Sequence, residues 1–224
     1  MHFPEALVNV PGHANQVELL AGELCLDFVN TVEPRVRPGP GEVSRNYLTC
    51  YQDLIAWSLR MGVLFEEAAR HLLTEAEKHP KRAGAALDQA VQLREVIYRI
   101  FLAIARHQEV SALDLDTLSV VFAQAMHQAR LRASGNAFAL TWVEQPTNLL
   151  RPLWPITHSA VELLLQGEKQ RIKECASGGE GCGWLFYDTS KNSSRRWCSM
   201  RGCGSQAKER RRGQRKRSSP HLAG

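Results

Sequence analysis

"CASGGEGC" (175–182) and "CSMRGC" (198–203) hold four of the chain's six cysteines. Six residues separate the first two, fifteen the middle two and four the last two. Two short loops that each aim a pair of thiolates inward suit Zn2+, whose structural sites take four ligands in a tetrahedron. The first loop contains three glycines and the second one, and each closing cysteine is followed by another, Gly183 or Gly204. Glycine tolerates the positive φ angles and close backbone approach of a sulfur-ligated turn. In a reducing compartment, clustered cysteines more often bind metal than form disulfides. The expected ligands are Cys175, Cys182, Cys198 and Cys203, although the spacings are looser than a pair of CxxC knuckles. Cys25 and Cys50 stand alone among apolar neighbours and read as packing residues.

Between the loops, "WLFYDTSKNSSRRW" (184–197) alternates, with Trp184, Phe186 and Asp188 on one side and Leu185 and Tyr187 on the other. That is a strand, broken at "SKNSS". After Cys203, "SQAKERRRGQRKR" (205–217) is rich in helix formers and lacks proline, so a helix is expected to start at the last ligand. Two knuckles, a hairpin and a terminal helix make a treble-clef-like zinc module. It is too small for an apolar core, and the metal is expected to hold it together.

Charge divides at the same place. From Cys175 onward there are eleven Lys+Arg against three Asp+Glu, a net of +8, while residues 1–174 carry −3 of the chain's total +5. Four thiolates and one zinc ion subtract about 2, leaving roughly +6. An anionic partner is implied. The candidate nucleic-acid contacts are Arg195, Arg196, Arg201, Gln206, Lys208, Arg210, Arg211 and Arg212, with Arg215, Lys216 and Arg217 beyond. Cationic side chains supply sequence-independent phosphate affinity, and specificity needs groups that reach base edges. Gln206 is a candidate adenine reader and the arginines candidate guanine readers. DNA is the expected partner, RNA fits the same charges, and an acidic protein surface is the alternative. Trp197 is expected beneath the second loop rather than as a base-stacking platform. The expected divisions are a helical domain over 1–170, a zinc module over 171–213 and a basic flexible tail over 214–224.

The body reads as mainly α, and the chain as α+β. "ELCLDFVNT" (23–31) fits either a short strand or the first turns of a buried helix, because so short an apolar run has no deciding period. "EPRVRPGPGEVSRN" (33–46) is a loop by its three prolines and two glycines. Thr49 and Gln52 have capping-box spacing ahead of "DLIAWSLRM", a helix stopped at Gly62. "FEEAARHLLTEAEK" has acids early and a lysine late, as the helix dipole favours. From Arg82 to His107, a long helix is expected with Leu87, Val91, Tyr98, Phe101, Leu102 and Ala105 on its apolar face, interrupted by Arg94. Another is expected over 114–129, with Leu118, Val121, Phe122 and Ala125 inward. Leu131, then Phe138, Leu140 and Trp142 alternate about Gly135-Asn136, a β-hairpin signal. "NLLRPLWPITHSAVELLLQG" returns to helix, with prolines tolerable only near its start and Gly167 as a stop.

No catalytic constellation is expected. Histidines 71, 79, 107, 127 and 158 are scattered, and HExxH, GxSxG, P-loop and GxGxxG patterns are absent from the sequence. Asp27 and Asn30, polar within an apolar run, either orient a ligand or bond to backbone at an element end. The longest membrane-helix candidate, "IFLAIA" (100–105), falls far short of the roughly 18 residues needed. The N-terminus lacks a basic start followed by an apolar run, so a cytoplasmic address is expected.

Cys-Gly-x-x-Phe-x-Asp-x-Ser from Cys182, then Asn192, "SRRWCSM" and "CG" with Lys208 downstream, resembles the CGNR zinc finger. "LCLDFVNT", "DLIAW", "LREVIYRIF" and the proline-interrupted helix leading to Cys175 resemble the ABATE domain that accompanies this finger in bacterial proteins. The resemblance implies a stress-induced bacterial transcription regulator whose finger binds DNA, with the four cysteines as zinc ligands. Its N-terminal domain would sense a signal or mediate assembly, with a protein partner or a homodimer among the possibilities. One departure lies in the namesake motif. Ser205 and Gln206 stand where the family has Asn and Arg, removing a rigid, always charged fork from the helix start.

Overall fold

A computed structural model describes residues 13–35, 44–177 and 182–218. A 3-10 turn at His13–Gln16 precedes α1 (Leu24–Val29), and β1 (Val32–Glu33) pairs antiparallel with β2 (Arg45–Asn46). Then follow α2 (Tyr51–Arg60), α3 (Glu66–Lys78), α4 (Pro80–Ala105) and α5 (Ala112–His127). A hairpin of β3 (Ala129–Ser134) and β4 (Ala137–Trp142) leads to α6 (Leu153–Gln166). The chain continues with β5 (Ile172–Glu174), antiparallel to β6 (Leu185–Tyr187), and ends in α7 (Ser205–Ser218). This is the mainly helical α+β architecture expected, with three two-stranded sheets among the described residues.

The ambiguous run 23–31 is helical, and Cys25, Leu26, Asp27, Phe28 and Val29 are all buried. A six-residue helix is marginal in isolation. Here Phe28 lies against Trp57 of α2 with ring centroids 5.3 Å apart, and each such burial contributes about 2 kcal/mol. Tertiary packing therefore selects helix over strand.

The start of α2 differs from the expected Thr49–Gln52 box. The Asp53 carboxylate accepts hydrogen bonds from the backbone N–H groups of Thr49 (2.8 Å) and Cys50 (3.1 Å) and from Thr49 Oγ1 (2.6 Å). An acid suits this role because it satisfies several donors near the positive end of the helix dipole.

α4 is the hub, packed against α1, α2, α3, α5 and β5. Its buried residues include Ala83, Ala86, Ala90, Leu93, Ile97, Ile100 and Phe101, whereas the expected Leu87, Val91, Leu102 and Ala105 are only half-buried. The large apolar residues mark one edge of a wider buried surface, because neighbours pack on several sides. Arg94 remains buried within it, donating to Glu95 (2.9 Å), Thr31 Oγ1 (3.2 Å) and Asn46 (2.8 Å). On α5, Leu118 and Ala125 are buried, while Val121 and Phe122 are half-buried.

The 129–142 hairpin turns at Gly135-Asn136, with Leu131 opposite Leu140 and Ala133 opposite Phe138. Gly62 adopts φ +68° after α2, the left-handed stop that favours glycine. Pro155 sits in the first turn of α6, where its missing N–H costs little. The 33–46 loop is closed at its base by the Val32–Asn46 and Glu33–Arg45 pairs, and its 36–43 portion lies outside the described residues.

The cysteine module is not held by metal alone, because it packs into the core of the body. Ile172, Cys175, Trp184, Leu185, Phe186 and Cys198 belong to the same buried cluster as Phe28, Trp57 and Phe101. Both faces of β6 are covered, so strand alternation yields burial on each side rather than one wet face. The module lacks a separate core because it shares the body's.

Candidate metal centre and its basic helix

Each cysteine is placed by a local backbone device. Cys175 follows β5, and its N–H donates to Trp184 O (2.8 Å), extending the β5–β6 ladder by one pair. Cys182 precedes β6 across Gly183, whose φ of +68° turns the chain into the strand. The first-loop glycines 178, 179 and 181 lie outside the described residues. Cys198 precedes, and Cys203 lies within, a one-turn π-helical segment, Met200–Gly204, whose N-cap Ser199 accepts from the Gly202 N–H at 3.1 Å. Gly204 allows a close approach, since a Cβ there would lie 3.1 Å from Met200 Sδ.

These devices bring the four Sγ atoms within 4.8 Å of one another. Cys198 Sγ is 3.6 Å from both Cys182 Sγ and Cys203 Sγ. A tetrahedral site with Zn–S bonds of about 2.3 Å places its sulfurs about 3.8 Å apart. The donor set fits zinc in ligand type, number and spacing. The Cys198 N–H points at Cys175 Sγ (3.4 Å), a contact that favours thiolate. Hydrogen bonds from the other three thiols, together with this N–H, hold the Cys175 thiol well below its ordinary range against the opposing effect of burial.

Asp188 organises the segment between the cysteine pairs. It is fully buried and accepts from Lys173 Nζ (2.6 Å), Ser190 N (2.9 Å), Ser190 Oγ (2.6 Å) and Arg195 N (2.9 Å). Burial pushes its carboxyl up, but Lys173, Ser190 and the two N–H donors outweigh that and hold it well below the usual carboxylate range. Its brace thus comes from strand, turn and loop residues. Lys173 has no motif of its own, and only its place opposite Phe186 in the β5–β6 register brings it to Asp188.

The expected DNA-contact residues separate into four groups. Arg195 is internal: its guanidinium lies 4.4 Å over the Phe186 ring and donates to Trp197 O (3.0 Å), Leu20 O (2.9 Å) and Cys198 O. It ties the second cysteine loop to the body. Arg196 and Arg201 are exposed, the former with its guanidinium 5.2 Å from the Trp197 ring centre. On α7, Lys208, Arg211 and Arg212 flank a groove of about 390 Å3 floored by Trp197, Met200 and Gly204. Gln206 and Arg210, exposed on another side of the helix, line a cleft of about 550 Å3 facing Glu18, Glu33 and Tyr47. Trp197 is half-buried against the core, with one side on the groove. Ser205 Oγ donates to Met200 O (3.1 Å), closing the turn into α7.

Polar residues in the body serve the junction. Asn30 donates to Leu185 O (2.8 Å) and accepts from Leu185 N (3.1 Å), while Asp27 accepts from Leu20 N (2.9 Å) and Ala21 N (3.0 Å). Of the two readings, bonding to backbone is the one realised. The junction also includes Tyr98 Oη to Gly183 O (3.0 Å), Trp184 Nε1 to Val32 O (2.9 Å), Arg35 N to Cys182 O (2.7 Å) and the Arg106–Glu174 ion pair at 2.7 Å. No helix among the described residues is long and apolar enough to cross a membrane.

Comparison with known proteins bears on both parts of the chain. The ABATE family, described as "Putative stress-induced transcription regulator", matches residues 22–167, and the CGNR zinc finger matches residues 171–216. No curated protein matches the chain. With its family match spanning α1 to α6, and the finger match containing all four clustered cysteines, the chain belongs to the ABATE family and carries a CGNR zinc finger after the helical domain.

Proposed function

We propose that the protein is a zinc-dependent transcription regulator that contacts duplex DNA through α7 and the adjoining Arg196 and Arg201, while its helical body senses a signal or mediates assembly. The observation that carries this reading is the emergence of a cation-rich helix from the last metal ligand, with Lys208, Arg211 and Arg212 beside an exposed groove. Bound zinc would supply a rigid joint between the two cysteine loops, fixing where the helix points. Phosphate oxygens would meet the groove's cationic rim. Its floor of Trp197 and Met200 suits apolar sugar or base edges.

Arg195 is assigned a positioning role because its donors are already committed to carbonyls. Gln206 and Arg210 face the cleft toward Glu18 and Glu33, so sequence discrimination is assigned chiefly to the Lys208 side of α7. Gln206, which stands where the family has its arginine, therefore falls on the cleft side, away from the Lys208 groove.

Fluorescence anisotropy of zinc-loaded protein with random-sequence duplexes tests this directly. Binding that engages about five phosphates weakens several hundred-fold between 50 and 200 mM salt. Replacing Lys208, Arg211 or Arg212 by Gln is expected to reduce the log–log salt slope by about 1 each. No duplex retention at low salt, or an unchanged slope in the triple variant, would overturn the proposal. Tighter retention of single-stranded RNA would move the assignment to RNA.

A further inference from the structure

α5 is apolar on more sides than the core uses. It contains no Lys or Arg, and Leu113 and Val120 are 74% and 59% exposed. Between α5 and α6 runs a groove of about 380 Å3, lined by Leu115, Phe122, Val161, Leu164 and Leu165. Leu165 is 79% exposed.

The groove continues to the 129–142 hairpin. The Phe122 ring stacks on His158 (centroids 6.5 Å apart), and His158 meets Trp142 edge-on at 6.0 Å. Cross-strand partners share a face, so the side bearing Trp142 continues through Leu140 and Leu131 to Phe138. Leu131 and Phe138 are 77% and 82% exposed. A two-stranded hairpin is marginal in water when its apolar face is uncovered. One face of the chain thus presents both an apolar projection and an apolar groove.

We infer that this face is the interface of a homodimer, in which Leu131 and Phe138 of each copy enter the α5–α6 groove of the other. A projection and a groove on the same face match the isologous pattern, in which residue i meets residue j and j meets i. The ionisable groups bordering it include Asp116, His127, His158 with its ion-pair partner Glu162 (3.2 Å), and Lys169, of mixed sign, while Arg130 and Arg132 lie on the hairpin's opposite face. Self-association therefore brings no concentration of like charge together, and no strongly acidic or basic partner is selected. Taking roughly 150–200 Å2 for a large exposed apolar side chain, the uncovered parts of Leu115, Leu131, Phe138 and Leu165 amount to about 500 Å2, in keeping with a homodimer interface of which roughly two-thirds is apolar. A standard interface takes about 800 Å2 from each partner.

Sedimentation equilibrium on the full zinc-loaded chain is expected to give a dimer with a dissociation constant of about 1 μM or tighter. Leu131→Asp with Phe138→Asp, and separately Leu165→Glu, should each weaken it about 30-fold or more with far-UV circular dichroism and zinc content unchanged. Phe65→Glu, at an exposed site outside this face, should leave it intact. In the unmodified protein, dimerisation should slow amide exchange over 112–127 and 129–142. A monomer at about 100 μM overturns the inference and leaves the face to a different protein. A dimer whose protection lies elsewhere, or that survives both sets of substitutions, overturns it as well.

Discussion

Asp188 shows how a single side chain can organise a small module. Its carboxylate gathers an ammonium, a hydroxyl and two backbone N–H groups in a site without solvent exposure. Asp188→Asn leaves Lys173 short of its counter-charge, and about 3 kcal/mol of stability should be lost at pH 7. Because the folded carboxyl titrates below its ordinary value near 3.9, its contribution is fully present above that pH and fades as pH falls further. In urea unfolding, the gap between wild type and variant should hold from pH 7 to about 5 and narrow below about 4. A pH-independent gap would mean that the charge is not responsible. The cysteines make a second contrast. Burial pushes the Cys25 thiol up to about 12, so it should resist alkylation at pH 8 in the folded protein, since the thiolate is the reactive form. Mass spectrometry should find the clustered thiols modified after chelation and Cys25 still free. Rapid native labelling of Cys25 would contradict its packing.

Among the elements, β5–β6 acts less as a free zinc hairpin than as a layer laid on α1 and α4. The two-way bond between Asn30 and the Leu185 backbone is the clearest fastening. Asn30→Ala strands a buried N–H and a buried carbonyl and should cost about 2 kcal/mol, read as a lower urea midpoint with an unchanged m-value. An unaffected midpoint would show that the contact contributes nothing net. Arg195 belongs to the same junction. Arg195→Gln should destabilise the fold while leaving the salt slope of DNA binding nearly unchanged, opposite to the effect expected for Arg211→Gln. Equal loss of slope in both would return Arg195 to the nucleic-acid face.

For the whole molecule, the shared core makes metal and fold interdependent. Chelation of zinc should lower the melting temperature of one cooperative transition that includes the near-UV signal of the body. A loss of about 3 kcal/mol corresponds to about 6–12 °C for a chain of this length. Two separated transitions, with the helical one unmoved by chelation, would show that the module melts independently. The same continuity gives the body a physical route to α7. A ligand or partner that shifts α1 or α4 bears directly on β5–β6, and the cysteines at its end hold the base of the helix.

Features that are local or periodic are legible in the amino-acid chain alone. Four cysteines in two turn-forming loops, the long amphipathic run that became α4, the Gly-Asn hairpin and the late surplus of positive charge each carry their reason within a few turns of chain. Tertiary structure decided the rest. Whether 23–31 was strand or helix depended on what packs against it, Trp57 of α2 together with α4 and α6, all beyond the run itself. The three tasks of the basic residues, Arg195 inward, Arg210 toward the cleft and Arg211 along the outer groove, follow from position around a helix and beside a loop rather than from charge. The joining of zinc module and body also required long-range contacts. Alternation along "WLFY" reveals a strand, but only the packed body makes both of its faces interior. Local spacing can specify which atoms are able to bind a metal, whereas burial depends on what the distant parts of the chain bring to the other side.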